Sequence, residues 1–248
     1  MSPISKTGGL GDNFYIAGFN LSGDVASLDQ ISGGPALLEV TAINKSAYER
    51  IGGLRSGDMQ FTSYFNPSAS QEHPALSTLP RTDVIATYAR GTTLGNPAAC
   101  INAKQVNYDP TRDNSGALTL KVDCQSNAYG LEWGKQLTAG LRTDGSATTG
   151  SAFDDGAASS FGGQAYFQLT AFSGTSVTID IQSATSSGGS YSSTGLTTTA
   201  MTTIGAQRLA TSNATTINEF LKVVTTGTFT NAVFSVVFVR NATAGVVF

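Results

Sequence analysis

The side chains able to do chemistry in this chain are few and widely separated. His73 is its one histidine, and a Ser-His-Asp or Cys-His arrangement would need it as the base. It stands immediately before Pro74, where a loop or helix-start role is the simpler reading. No G-x-S-x-G elbow is present to present a nucleophilic serine. Cys100 and Cys124, even with His73, are too few ligands for a zinc site. In a reducing compartment the two thiols are expected to be buried and free. Their positions near the ends of two neighbouring strands leave a cross-strand disulfide open. GGLGDN (8–13) begins like a dinucleotide fingerprint, but it lacks the last glycine and the strand-to-helix setting. DPTRDNSG (109–116) has a calcium loop's outline, yet Thr111 holds the third position and no acid closes it; a hairpin turn is the plainer reading. Asp154 and Asp155 could bind calcium weakly, but solvated loop acids are the default reading. No catalytic, metal-ligating or cofactor-binding set emerges, so the expectation is a protein that is not an enzyme and uses no cofactor.

The composition narrows the partners. Of 248 residues only 12% are charged, against roughly 25% in ordinary domains, while 40% are hydrophobic, enough for a core. The surface must then be built from Ser, Thr, Asn, Gln and Gly. Such poverty of charge suits either an extracellular binding module or a subunit covered by neighbours, because interface cores are depleted of charge. With a net charge of −3, a pI near 5.1 and no Lys/Arg cluster, a firm grip on nucleic acid is not expected. The start MSPISKTGGLGDNFYIAG lacks the basic and apolar regions of a signal peptide. No run approaches the roughly 18 apolar residues of a membrane helix. Synthesis in a host cytoplasm, without a membrane partner, is the expectation.

Strand-like periodicity dominates. Asp24 can cap a possible helical turn over VASLDQI, with Val25, Leu28 and Ile31 on one side, and ALLEVTAI (36–43) reads as a strand. In DMQFTSYFN, Met59, Phe61 and Phe65 alternate with Asp58, Gln60 and Thr62, so a strand hides the first set as core anchors and presents the second to a channel or a neighbour. In QEHPALSTL, Pro74 suits the first turn of a short helix, with Ala75, Leu76 and Leu79 toward the core. DVIATYA (83–89) and ACINAKQVNY (99–108) follow as strands. The latter forms a hairpin with ALTLKVDC (117–124) around DPTRDNSG, with Ala103, Val106, Leu118, Leu120 and Val122 as core candidates. Residues 143–163 hold hardly any aliphatic side chains and read as a linker. Beyond them QAYFQLTAF, SVTIDIQ, FLKVVTT and FTNAVFSVVFV have the spacing of a β-sandwich. Val177, Ile179 and Ile181 point inward, and the last strand is apolar on both faces, as a central strand would be. The fold class is mostly β, in two domains.

The run GGLRSGDMQFTSYFN, then HPALSTLP, then CINAKQVNYDPTRDNSGALTLKVDCQSNAYGLEWG resembles the major tail tube proteins of long-tailed, non-contractile bacteriophages over roughly residues 10–145. The resemblance lies in the order of elements and the local wording. It implies a tail-tube-type β-sandwich or barrel with a short helix over 1–145, its N-terminal arm at about 1–20. A linker at 146–162 and a second, Ig-like or jelly-roll-like β-sandwich over 163–248 on the tube exterior follow. It further implies a virion protein whose hexameric rings stack into a tube. That tube would enclose the tape-measure protein, meet tail terminator or distal tail proteins and pass DNA during ejection. Two alternatives stand beside this one: another virion component, such as a capsid decoration or minor tail protein, and a carbohydrate-binding sandwich using Tyr166, Phe172 and Tyr191.

Overall fold

The computed structural model describes residues 8–244. The chain is almost entirely β-structure. Its first elements are β1 (Asn13–Ile16), β2 (Phe19–Asn20), β3 (Val25–Glu39), β4 (Arg50–Tyr64), α1 (Glu72–Leu76), β5 (Val84–Ala89), β6 (Pro97–Gln105) and β7 (Asp109–Arg112). There follow β8 (Leu118–Ser126), β9 (Glu132–Gln136), β10 (Arg142–Asp144), β11 (Phe153–Asp154), β12 (Gly163–Ala184), β13 (Ser192–Thr197), β14 (Gly205–Ala210) and β15 (Phe220–Arg240).

Two compact units form, and their borders differ from the expected 1–145, 146–162 and 163–248. Among the described residues, one unit joins 8–22 with 87–98 and 133–244; the other comprises 23–86 and 99–132. The reason lies in strand pairing and buried polar contacts. β9 and β10 both pair with β15. The Gln168 side chain accepts from the Gly18 N–H at 2.8 Å and donates to the Thr87 hydroxyl at 3.2 Å. Of the expected arm at 1–20, residues 1–7 lie outside the described residues, and the chain from Asn13 is strand β1.

In the first unit β12 and β15 pair antiparallel along nearly their whole length. Register shifts between Leu169 and Ala171 and around Ser173–Ser176 break the ladder at mid-length, and such bulges bend a strand pair. On either side of the break the outer edge of β12 pairs first with β14, then with β13. Phe167 and Leu169 from one half and Val177, Ile179 and Ile181 from the other enter one core with Phe234, Val236 and Phe238. β15 is flanked on both edges, and Val236, Val237, Phe238 and Val239 are all buried, so both faces of its C-terminal half are covered.

The stretch read as a linker is bound along this unit. Backbone hydrogen bonds run from Thr148, Gly150, Asp155 and Ser159 to Thr225, Val223, Glu219 and Ile217. Arg142 forks onto Asp144 at 2.9 and 2.6 Å, and Thr225 donates to the same carboxylate at 2.7 Å. Asp155 is no solvated loop acid: it holds Lys135 at 2.7 Å and Arg240 at 2.5 Å, with its side chain only 4% exposed. Polar contacts of this kind leave no hydrophobic periodicity for sequence reading to detect.

In the second unit β4 is central. It pairs with β3 from Arg50 to Ser63 and with β8 from Asp58 to Tyr64. The helical turn expected over VASLDQI is strand β3 instead, because pairing along β4 outweighs a weak local helix preference. The outer edge of β8 is shared. β7 pairs with Leu118–Lys121 and β6 with Cys124–Ser126. DPTR is therefore strand rather than turn, and the turn falls at Asp113, whose carboxylate accepts from Ser115 and from the Ala117 N–H. Val106, expected in the core, is exposed, as is Leu79; of the helix's three core candidates Leu76 alone is fully buried. Cys100 and Cys124 are both buried, and neither is part of a disulfide.

Gly33 and Gly57 face each other across β3 and β4. A Cβ on Gly33 would lie 2.7 Å from the Leu131 Cβ, and one on Gly57 would lie 2.6 Å from the Leu131 backbone nitrogen. This glycine rung lets the hairpin pass under the chain at Leu131. Two predictions follow from these contacts. Gly57→Ala should destabilise the chain by about 1–3 kcal/mol through overlap with backbone, while Gly52→Ala, with only ordinary contact to Pro35, should leave thermal unfolding unchanged. Asp155→Ala should cost about 3 kcal/mol, since it leaves the largely buried Arg240 guanidinium without its carboxylate, and should open the 145–162 segment to limited proteolysis.

Candidate assembly surface

Alternation gives the β4–β8 sheet two unlike faces. Met59, Phe61 and Ser63 on β4 and Leu120, Val122 and Cys124 on β8 are all buried. Asp58, Gln60 and Thr62 share the opposite face with Lys121, Asp123 and Gln125. That polar face is partly exposed and laced by hydrogen bonds: Thr62 to Asp29 at 2.8 Å, Gln60 to Asp58 at 3.2 Å and Gln125 to Asp123 at 3.2 Å. Partial burial, and then the charge of Asp123, holds the Asp58 carboxyl above its ordinary range. A shallow cleft of about 250 Å³ opens here between Asp29, Gln60, Asn107, Lys121 and Asp123. Its acids outnumber its single lysine.

Beyond the glycine rung the hairpin continues as a two-stranded arm. From there to the tip it runs roughly 25 Å at the usual strand rise. Leu37, Leu38, Val40, Ile43, Tyr48, Ile51 and Leu54 are all exposed on it, Leu54 by 90% and Leu37 by 71%. The arm is nonetheless well formed. Leu38 opposes Ile51 and Glu39 opposes Arg50 in the ladder. The Val40 N–H donates to the Glu49 carbonyl at 2.9 Å, Lys45 pairs with Glu49 at 2.9 Å, and the Arg50 guanidinium lies over the Tyr48 ring. Among the described residues β3 pairs with β4 alone, so its outer edge is open along 15 residues. A two-stranded ribbon is marginal by itself in water, and an ordered ribbon with this many exposed apolar side chains has the character of a protein-binding element.

Every residue singled out from the sequence can now be placed. Asp58, Gln60 and Thr62 lie together on the polar face. Met59, Phe61, Leu120 and Val122 lie together beneath it. Phe65 departs from the anchor set: it is 38% exposed, just beyond the end of β4, with its ring centroid 4.8 Å from that of His73. His73 in turn meets the Tyr108 hydroxyl at 2.6 Å through Nδ1. The aromatics weighed for sugar binding form no open platform. Tyr166 is fully buried with its hydroxyl accepting from Arg208, Lys222 covers the Tyr191 ring at 4.0 Å, and Phe172 packs against the core. Sequence reading missed the arm's apolar stretch as a unit, although ALLEVTAI and the tyrosine and leucine of the return strand are visible in it. Among the described residues no cluster of three or more His, Cys, Asp or Glu is arranged to hold a metal ion, and no helix is long and apolar enough to cross a membrane.

No protein-family model matches this chain, and no curated protein matches it. Sixteen chains of solved structures are similar to it. One belongs to the virion of a native gene transfer agent particle; it is 12% identical and the match covers 52% of this chain and 98% of that one, with a TM-score of 0.42. Another belongs to the tail of an empty gene transfer agent particle refined with C6 symmetry, 14% identical over 48% of this chain and 93% of that one, with a TM-score of 0.38. A third is the Dit protein of phage SPP1, from the hub adsorption apparatus of phages infecting Gram-positive bacteria. It is 8% identical over 92% of this chain and 99% of that one, with a TM-score of 0.35.

Proposed function

We propose that this protein is a structural subunit of a bacteriophage tail, whose copies form stacked hexameric rings of a tube that conducts DNA. The observation that carries this reading is the arm: an ordered hairpin, without a strand partner on its outer edges among the described residues, presenting leucines, isoleucines, valine and tyrosine to solvent. Covering each such side chain with a sister copy would contribute about 1.5–3 kcal/mol, and pairing along the outer edge of β3 would complete its backbone hydrogen bonding. The resemblance of residues 10–145 to tail tube proteins supports the same partner, a second copy of this chain. In such a tube Asp58, Gln60 and Thr62 would face the lumen. A face where acids outnumber lysine repels phosphate and lets DNA slide. The tape-measure protein within, and terminator or distal tail proteins at the ends, would be the further partners. The first unit, with its own closed core, would supply the exterior sandwich.

The test is assembly of the full chain followed by light scattering and negative-stain microscopy. The wild type is expected to form rings or hollow filaments as concentration rises. Leu37→Asp combined with Leu54→Asp should keep the thermal unfolding of the wild type, since both sites are exposed, but should remain monomeric. A wild type that stays monomeric at every concentration sinks the tube, and so does a double variant that assembles normally. Within assembled particles, Asp58→Lys should leave tubes intact and slow DNA ejection; unchanged ejection would remove Asp58 from the lumen.

A further inference from the structure

Under helix α1 the second unit buries two acids with no cation between them. Glu72 is 0% exposed and Asp24 is also buried, and no ion pair among the described residues includes either. Asp24 acts as the helix cap from 48 residues away: its carboxylate accepts from the Glu72 N–H at 3.0 Å and from the Asn66 amide at 2.8 Å. The local cap position, Gln71, gives no side-chain bond, so the negative charge of Asp24 is held at the start of the helix, where backbone N–H groups favour it. The Glu72 carboxyl has no such support, and neither of its oxygens closes a hydrogen bond. The Ser63 and Tyr108 hydroxyls and the Asn66 backbone lie close to it without the geometry of one. Tyr108 is engaged instead with His73 Nδ1 at 2.6 Å.

We propose that Glu72 is a proton-operated latch on helix α1, which seats the helix when its carboxyl is neutral and loosens it when ionised. Ionising a carboxyl here would place a charge in a buried site beside Asp24, with no cation to offset it. The titratable groups around it are Asp24 ahead of β3, Tyr108 between β6 and β7, and His73 on the helix itself. Burial, opposed in part by the Asn66 backbone and the Ser63 hydroxyl and reinforced by the Asp24 charge, pushes Glu72 up from 4.5 to about 7, and burial with the Glu72 charge pushes Tyr108 up to about 12. The folded chain therefore holds a proton that the unfolded chain gives up. The contribution of the seated helix is complete below about pH 4.5, declines between there and pH 7, and is lost above it. Acidification tightens the latch and neutral to alkaline conditions slacken it. This device is independent of the tube reading, since it needs one copy only.

Hydrogen exchange on the full-length protein tests it, read at the amides of His73, Ala75 and Ser77, which donate to Asn66, Gln71 and His73. After correction for intrinsic exchange, wild-type protection of these amides should fall by about a hundredfold between pH 5 and 8. In Glu72→Gln it should stay level. A carbon-13 titration of the glutamate carboxyls should in parallel give one resonance with a midpoint near 7, absent from Glu72→Gln. Level protection in the wild type overturns the latch. The same pH dependence in Glu72→Gln does so too, by assigning the effect to His73. If Glu72→Gln does not fold, the wild-type titration decides, and a full set of glutamates titrating near 4.5 ends the proposal.

Discussion

Strand β4 is hydrogen-bonded on both edges only from Asp58 to Tyr64, and most of what is distinctive in the second unit depends on that limit. Where both edges are occupied, the strand's period of two separates Met59, Phe61 and Ser63 from Asp58, Gln60 and Thr62, so one face can be dry and the other wet. Beyond Asp58 the pairing stops because β8 ends at Ser126, and Gly33 and Gly57 let the hairpin clear Leu131. Outward of the contact between Gly130 and Arg55, the apolar side chains of the ribbon, Leu37, Leu38, Ile51 and Leu54, are exposed. The same strand is thus a core element over one half and an exposed arm over the other. A substitution at the rung acts on both through a single backbone overlap.

Polar side chains do much of the long-range tethering that hydrophobic contacts do elsewhere. Asp24 caps a helix 48 residues distant, and Gln168 joins Gly18 and Thr87 by one amide. In the 142–155 stretch Arg142, Asp144 and Asp155 fasten a glycine- and serine-rich segment to β15. Such bonds hold chain that is too poor in aliphatics to bury itself. They also demand full satisfaction, because a buried polar group left unpaired costs about 1–3 kcal/mol. Glu72 stands out against that background, as a buried acid beside another acid with both of its oxygens unbonded.

Strand-forming segments were legible wherever the alternation was carried by apolar residues: 59–63, 118–124, 177–181 and the C-terminal strand. The mostly β class and the short helix at Pro74 follow from those signals and from proline chemistry. The capping tendency of Asp24 was equally visible, but its partner was not, since a cap can be supplied across space and sequence proximity favours the wrong helix. Phe65 looked like a continuation of the alternating set. Leaving the ladder at Tyr64 freed it to meet His73. The 146–162 stretch was invisible as structure because ion pairs and backbone bonds carry no period. The division into units could not be read along the chain, since 133–145 belongs with distant β15 through pairing that no local pattern announces.

The scarcity of charge takes on a particular meaning once the charges are located. Several of the cations are committed to internal pairs, among them Arg90 with Asp12, Lys104 with Asp83, and Lys135 and Arg240 with Asp155. Exposed edges of soluble β-proteins are commonly protected by lysines or inward-facing charges that discourage pairing with another chain. On the arm the charges are engaged with one another and with an aromatic ring near the tip instead, Lys45 with Glu49 and Arg50 over Tyr48, opposite Glu39. They order the tip and leave the leucines and isoleucines beside it unguarded. An unguarded edge on a floppy segment is an aggregation hazard, whereas the same edge on a ribbon pinned by a glycine rung and a closed tip has one conformation to offer. That is the difference between adhesion in any register and docking in one.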